Sequence, residues 1–188
     1  MTNVSPELDS RFRAAAAEAG LLDVAYDVVE SPLGELFVGV SERGLCVISY
    51  EADPDAQVER LARGFGSRVL RSPRPVDPAR RQLDEYFAGK RKRFDLEVDL
   101  SLARDFGRTV LEELGRVPFG EVTTYGALAA KAGKPRAARA VGTIMNRNPV
   151  PIVLPCHRVV GANGSLVGYA GGLERKQTLL RLEGALLA

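Results

Sequence analysis

The chain has 188 residues, about the length of one domain, and is 45% hydrophobic and 27% charged with no Trp, which excludes a disordered or collagen-like protein. Two cysteines are too few for a disulfide framework, and residues 1–20 carry charges among alanines, so we expect a cytoplasmic location and no membrane association. The net charge of +2 conceals an acidic first half and a basic second half.

The first half predicts an antiparallel β-meander. Three short runs are rich in β-branched and aromatic residues, and turns that contain glycine separate them. These runs span residues 24–29, 36–40 and 45–50.

Helices are expected on both sides of the meander. Ser5-Pro6 is a typical helix start, with Leu8, Phe12 and Ala15 on one face and Gly20 as the stop. Asp77-Pro78 predicts a second helix that ends at Gly89 and turns Leu83, Tyr86 and Phe87 inward. The charge run Lys90–Arg93 after it fits an exposed turn better than a nucleic-acid contact.

The second half is basic. Residues 1–100 hold 14 Lys and Arg against 18 Asp and Glu, or −4, whereas residues 101–188 hold 12 against 6, or +6. Within 117–170, six basic residues stand against the single acid Glu121. Such a surface fits a polyanion, although a merely solvated surface explains the charge equally well.

Helical patterns dominate this half. Leu102, Phe106, Val110 and Leu114 recur every four residues and predict an amphipathic helix that ends near Gly115. Thr123 or Thr124 can cap a short helix that continues to about Ala132. A further helix is expected from about Pro135 to Asn146, with Val141, Ile144 and Met145 on its apolar side. Two short helices joined by a glycine-containing turn predict a helix-turn-helix.

The second of these helices carries small residues wherever it is neither basic nor apolar. Helix propensity alone explains an Ala-rich helix, but a surface of Ala and Gly also lets a backbone approach a partner closely. The small residues are Ala137, Ala138, Ala140 and Gly142, and Arg139 is the long side chain among them.

The chemical motif is Pro155-Cys156-His157-Arg158-Val159, between a short apolar run and a glycine-rich loop. A free thiol has a pKa of about 8.5 and needs a base to react at neutral pH. His157 is the only histidine, and therefore the only ordinary neutral base near pH 7. If it assists, Cys156 is expected to react well below pH 8.5.

The C-terminal segment predicts an amphipathic helix whose apolar stripe includes a carboxylate. Glu183 lies at i+4 and i+3 from two of the leucines, so it should face inward, and a buried glutamate needs a partner or a function. A glutamate paired with Arg181 or solvent is the alternative. One His and two distant Cys cannot build a zinc site, so we expect neither metal nor cofactor. The stripe consists of Leu173, Leu179, Leu180, Leu182, Leu186 and Leu187.

These motifs match a known family in order and spacing across residues 102–185. The second half resembles the O6-alkylguanine-DNA alkyltransferases, and the first hundred residues resemble that family's variable N-terminal domain only in their strand-and-helix layout. The matching stretches are Arg139–Gly142, Asn148-Pro149, Pro155–Val159, Gly168-Tyr169, Gly171-Gly172, Leu179-Leu180 and Glu183-Gly184.

The resemblance implies the fold class α/β (α+β) in two domains. Residues 1–98 would form an N-terminal domain with the antiparallel β-meander plus helices, including an extra N-terminal helix. Residues 99–188 would form a mostly helical DNA-binding and alkyl-acceptor domain with a helix-turn-helix and an active-site loop.

The resemblance also implies a suicidal DNA repair protein that moves an alkyl group from O6 of guanine onto its own cysteine, once per molecule. Cys156 matches the acceptor, His157 the water-mediated base and Glu183 the carboxylate that polarises the histidine. Asn148 matches an asparagine that braces the active-site turn, and Tyr125 a tyrosine that assists the leaving guanine.

The implied partner is double-stranded DNA that contains O6-alkylguanine, bound in the minor groove with little sequence specificity and with the damaged nucleotide flipped out. Arg139 matches the residue that fills the gap. A monomer is expected, with cooperative assembly on DNA left open. Further DNA contacts are expected from Thr124, Tyr125, Ala137, Ala138, Ala140 and Gly142. The pocket is expected to include Met145, Val159, Tyr169 and Ala170, the last where some members have serine.

Other classes compete with this interpretation. An alkyltransferase-like protein that binds lesions without transfer typically lacks the acceptor thiol, so Cys156 counts against it. A thiol hydrolase with a Cys-His-Glu arrangement would leave the basic helix-turn-helix unexplained. A helix-turn-helix transcription regulator would leave the thiol motif unexplained.

Overall fold

The computed structural model describes residues 5–51 and 53–186. Internal contacts divide the chain into two units. The first comprises residues up to Ala88 together with Asp95–Asp99, and the second comprises Gly89–Phe94 and the chain from Leu100 onward. The domain boundary after residue 98 stays a prediction.

The first unit is built on a four-stranded sheet in the order β3-β2-β1-β4. Strands β1 (Val24–Val29), β2 (Leu36–Ser41) and β3 (Gly44–Ser49) pair antiparallel, which confirms the predicted meander. The three-residue strand β4 (Val69–Arg71) pairs parallel with β1 and was not predicted. One face of the sheet packs into an apolar core with Leu61 of the following helix.

Three helices accompany this sheet. Ser5 caps α1 (Pro6–Glu18) as predicted, but Leu8 and Phe12 on its apolar face are exposed. Helix α2 (Pro54–Phe65) was not predicted, although Asp53 caps it through the Asp55 N–H. Helix α3 (Pro73–Phe87) begins five residues before the predicted first helical residue, Pro78, which lies in its interior.

The predicted side-chain orientation on α3 is confirmed for two of three residues. Leu83 and Tyr86 are buried, whereas Phe87 is half-buried. After this helix, Lys90, Lys92 and Arg93 are exposed, as expected for a charged turn.

The second unit is mostly helical. Leu102 does not belong to its first helix, because it lies in a turn before the start and is exposed. The predicted start at Pro135 is also wrong, since Lys134 and Ala137 close a turn there by a backbone hydrogen bond. The helices are α4 (Asp105–Gly115), α5 (Tyr125–Lys131), α6 (Ala138–Asn146) and α7 (Leu173–Leu182).

Helices α5 and α6 form the predicted helix-turn-helix, and Thr124 caps α5 by accepting from the Ala127 N–H at 3.1 Å. A two-stranded parallel sheet ties this motif to the chemical motif: β5 (Thr123–Thr124) pairs with β6 (Val159–Val160). The meander in one unit and the helical second unit confirm the predicted fold class. Within residues 5–51 and 53–186, no helix combines the length and apolar character needed to cross a membrane.

Candidate active site

Cys156 opens a short 3₁₀ helix, Cys156–Arg158, that leads directly into β6. The loop before it is held by Asn148, whose Nδ2 donates to the Leu154 carbonyl at 2.8 Å and whose Oδ1 accepts from the Val150 N–H at 3.1 Å. The same loop contains Ile152, a buried β-branched residue at φ 76°. That left-handed conformation is unfavourable for isoleucine, so the loop depends on its surroundings to keep this shape.

The Cys156 thiol is buried, with 5% of the residue exposed. Burial raises its pKa to about 11, even though the Asn148 side chain, the Lys176 charge and the Tyr169 side chain act in the opposite direction. This direction opposes the expectation that Cys156 reacts well below pH 8.5, which stays a prediction for the assay. At pH 7, Cys156 is therefore a protonated thiol.

His157 is fully buried and lies against Glu183, with 2.9 Å between Nε2 and Oε1. Burial lowers the pKa of His157, so the ring is neutral at pH 7. Because an ionised carboxylate only accepts hydrogen bonds, Nε2 carries the proton and Nδ1 carries the free lone pair. Among the described residues, Nδ1 is a buried atom without a hydrogen-bond partner, and it can therefore act as a base.

Glu183 faces inward as predicted, because its side chain is fully buried. Arg158 donates two hydrogen bonds of 2.8 Å to its carboxylate, from Nε to Oε2 and from Nη2 to Oε1. The Gly120 N–H adds a longer contact of 3.4 Å to Oε2. These contacts replace the alternative pairing with Arg181 or solvent.

Arg158 is itself nearly buried and makes further contacts. Its Nη1 donates to the Val117 carbonyl at 2.5 Å, and its guanidinium carbon lies 5.9 Å from the centre of the Phe119 ring. From the sequence alone, Arg158 is only one of the basic residues of the second half. Its position directly after His157 was the available signal.

A fully buried lysine, Lys176, lies near Cys156 and is not among the predicted site residues. Its Nζ donates to the carbonyls of Val159 (2.7 Å) and Val167 (3.0 Å). Burial lowers its pKa, and the nearby Cys156 opposes that shift. Spacing could have found it, because Lys176 precedes Leu179 and Glu183 at three and seven residues on the same helical stripe.

Of the predicted leucine stripe itself, Leu179 and Leu180 are buried and Leu173 is exposed. Leu182 and Leu186 are half-buried. Leu187 lies outside the described residues.

A cavity of about 700 Å³ opens at Cys156 between the α5–α6 motif and the glycine-rich loop. It brings together many of the predicted residues and several that were not predicted. The predicted ones are Tyr125, Ala138, Arg139, Gly142, Met145, Cys156, Tyr169 and Ala170, and the others are Thr143, Asn146, Arg147, Val167 and Gly168.

Other predicted residues do not line this cavity. His157, Glu183 and Asn148 are not among the lining residues. Val159 was predicted in the pocket but is fully buried, and its carbonyl accepts from Lys176. Ala137, Ala140 and the helix cap Thr124 are also outside the lining.

Tyr125 contributes a donor to the cavity wall. Its hydroxyl donates to the Val167 carbonyl at 3.3 Å. Burial, with a smaller contribution from Cys156, raises its pKa, so the hydroxyl keeps its proton at neutral pH.

Comparison with known proteins matches both halves of the chain. Residues 105–185 match the 6-O-methylguanine DNA methyltransferase DNA-binding domain, and residues 24–100 match the ribonuclease-like domain of the same family. The chain belongs to the 6-O-methylguanine DNA methyltransferase family. All the cavity residues, and Glu183 behind them, fall within the match to the family's DNA-binding domain.

Similar proteins match this chain over most of its length and nearly all of their own. The methylated-DNA–protein-cysteine methyltransferase of Methanosarcina acetivorans is 40% identical over 85% of this chain and 98% of its own. The protein of that name from Mycolicibacterium paratuberculosis is 42% identical, over 85% of this chain and 92% of its own. Among solved structures, Mycobacterium tuberculosis OGT in complex with DNA is similar with a TM-score of 0.75 and 37% identity, covering 86% of this chain and 93% of that one.

Proposed function

We propose that this chain repairs O6-alkylguanine in double-stranded DNA by moving the alkyl group irreversibly onto Cys156. The observation that carries the proposal is that Cys156 lies on the wall of a cavity and that the next residue, His157, is buried and neutral, with its Nε2–H held by Glu183. The family membership supports the same activity.

The reaction is a displacement at the alkyl carbon. As the base enters, the Cys156 proton moves to His157 Nδ1, directly or through one bridging water, and the sulfur attacks. The S–C bond forms while the C–O6 bond breaks, and the electron pair of that bond stays with the guanine. The guanine takes up one proton, from Tyr125 or from water, and the proton held by the His157 imidazolium replaces it, so the net products are S-alkylcysteine and repaired guanine.

Surrounding groups have supporting roles in this proposal. Glu183 holds the imidazole tautomer and stabilises the imidazolium that forms, as a carboxylate does in a hydrolase triad. Tyr125 keeps its proton and can donate it, or a hydrogen bond, to the leaving guanine. Asn148 fixes the loop that carries the sulfur.

DNA must present the base outside the helical stack, because O6 within a stacked pair cannot meet a sulfur in line. In this proposal Arg139 fills the gap that the extruded nucleotide leaves in the duplex. Small side chains let the helix backbone approach the minor groove closely; they are Ala137, Ala138, Ala140 and Gly142. Thr124 contacts the sugar-phosphate backbone of the DNA in this proposal. The protein works as a monomer in the cytoplasm, and cooperative assembly on DNA is a separate question for titration.

The transfer inactivates the molecule. A thioether has no carbonyl for water to attack, and its sulfur is a poor leaving group, so Cys156 is not regenerated. The same chemistry separates the proposal from a thiol hydrolase, which turns over, and from a lesion-binding protein, which transfers nothing.

The test is mass spectrometry after incubation with excess duplex that contains O6-methylguanine. We expect a gain of one methyl group per chain, located on the Cys156 peptide, with a plateau at one equivalent. Cys46 is the internal control, since burial raises its pKa to about 12 and it is expected to stay unmodified. Cys156→Ser should bind the duplex without gaining mass. Turnover beyond one equivalent, or binding by the unaltered protein without any mass gain, would refute the proposal.

A further inference from the structure

The charge of the cavity wall is one-sided. Among its lining residues are two arginines, Arg139 and Arg147, and neither an Asp nor a Glu. Arg139 is the second residue of α6, and Arg147 is the residue that caps the helix at its other end. Arg147 follows Arg139 by eight positions, which is about 12 Å along the helix axis. The cavity therefore has a cation near each end of this helix.

Neither guanidinium has a side-chain partner in the part of the chain that the structure describes. Both residues are exposed, and neither forms an ion pair or a side-chain hydrogen bond with any residue that the structure describes. Several other arginines of this unit are engaged by carbonyls or carboxylates. These are Arg108, Arg116, Arg158 and Arg175.

An extruded nucleotide brings a negative charge to this wall. When the base enters with O6 towards Cys156, the sugar stays at the mouth of the cavity and its backbone phosphates come with it. A planar guanidinium matches two phosphate oxygens at once, and it meets no competing carboxylate here. Arg139 is already assigned to the gap that the nucleotide leaves in the duplex. Arg147 is then the cation left at the mouth of the cavity.

We propose that Arg147 binds a backbone phosphate of the extruded nucleotide and so holds that nucleotide in the cavity. This inference rests on the proposed function and adds a positioning contact to it. The competing explanation is local: a cation at the end of a helix also stabilises the helix dipole. In that case Arg147 would affect the stability of the protein and leave its DNA binding unchanged.

The first experiment measures salt dependence. Affinity for a duplex with one O6-methylguanine is determined between low and moderate salt in the Cys156→Ser background, so that no transfer interferes. Loss of one phosphate contact should reduce the slope of log K against log salt by about 0.9 in Arg147→Gln, and Arg147→Lys should keep most of the slope. The matched control is Arg181→Gln, an exposed arginine of α7 away from the cavity, which should leave the slope unchanged. An unchanged slope in Arg147→Gln would overturn the assignment.

The second experiment identifies the phosphate. The phosphate on the 5′ or the 3′ side of O6-methylguanine is replaced by a neutral methylphosphonate, and the affinity is measured again. One of the two replacements should weaken binding about tenfold with Arg147 present and add less than about twofold in Arg147→Gln, because interacting partners are not additive. Full additivity at both positions would overturn the proposal.

A third readout uses the intact thiol. The rate on duplex, divided by the rate on free O6-benzylguanine, should fall about tenfold in Arg147→Gln, since the free base carries no phosphate. An equal fall in both rates would show a disturbed cavity and overturn the phosphate contact. If the unaltered protein gains no methyl group on Cys156, the proposed function fails; methyl transfer with an Arg147→Gln variant that matches the control refutes only the phosphate contact.

Discussion

Replacing Glu183 by glutamine is expected to destabilise the protein through Arg158 more than through His157. The Glu183 and Arg158 side chains are 0% and 7% exposed, so solvent hardly screens the pair. Glutamine keeps one acceptor oxygen but turns an N–H₂ group towards a donor, and the guanidinium stays buried without its counter-charge. Breaking a buried pair in this way costs about 3–5 kcal/mol, a large part of a typical stability of about 5–15 kcal/mol.

A double-mutant cycle tests this reasoning. Arg158→Met alone leaves the buried Glu183 carboxylate without its cationic partner and should cost about as much as Glu183→Gln. The double variant contains neither charge, so its loss should be smaller than the sum of the two single losses by at least about 2 kcal/mol. The free energies come from urea unfolding curves with comparable slopes. Additive losses would refute the strong coupling that the two short hydrogen bonds indicate.

Activity separates the two roles of the carboxylate. The double variant should regain stability yet transfer its alkyl group at least about tenfold more slowly than the unaltered protein, because glutamine carries no charge to stabilise the imidazolium at His157. Recovery of the rate together with the stability would mean that Glu183 serves only the fold.

Three further outcomes are expected. Lys176→Met removes the cation near Cys156 while keeping an unbranched side chain, so the reaction of Cys156 with iodoacetamide at pH 7 should slow; an unchanged rate by peptide mass spectrometry contradicts this. Because the pKa of His157 is lowered, its neutral form persists below pH 6.5, and the rate on free O6-benzylguanine should stay constant as the pH falls through that value; a half-maximal rate at or above pH 6.5 would count against it. Asn148→Ala strips two backbone groups of their partner and should lower the free energy of unfolding by about 1–3 kcal/mol, whereas a loss below about 0.5 kcal/mol would show that the loop holds itself.

Local signals predicted the elements that carry them. The Ser5 cap and the Thr124 cap are each a hydroxyl followed by a helix, and the meander follows from alternating β-rich runs and glycine turns. Helix α2 has the same kind of start, Asp53 before Pro54, and could have been predicted. Strand β4 could not, because three residues are too short for a periodic pattern and its pairing with β1 is non-local.

Some features of the site could be predicted from local sequence signals, and others depend on the packed structure. Adjacency in the motif identified Cys156 and His157, and helical spacing identified Glu183. The direction of the Cys156 pKa shift was out of reach, since it depends on burial that only the packed structure shows. The two hydrogen bonds from Arg158 to Glu183 join residues 25 positions apart, and no local pattern predicts that the Nε and Nη2 groups of one guanidinium meet both oxygens of one carboxylate.

The raised pKa of Cys156 also affects how long a molecule that has not yet reacted keeps an unmodified thiol. A protein that can act only once is wasted whenever an electrophile or oxidant in the cell reaches its sulfur before damaged DNA does, and such reagents attack the thiolate. At pH 7 a thiol with a pKa of about 11 holds about 300-fold less thiolate than one with a pKa of about 8.5. Burial thus slows accidental consumption while the molecule waits, and the same sulfur becomes useful when a guanine brings its alkyl carbon to the cavity.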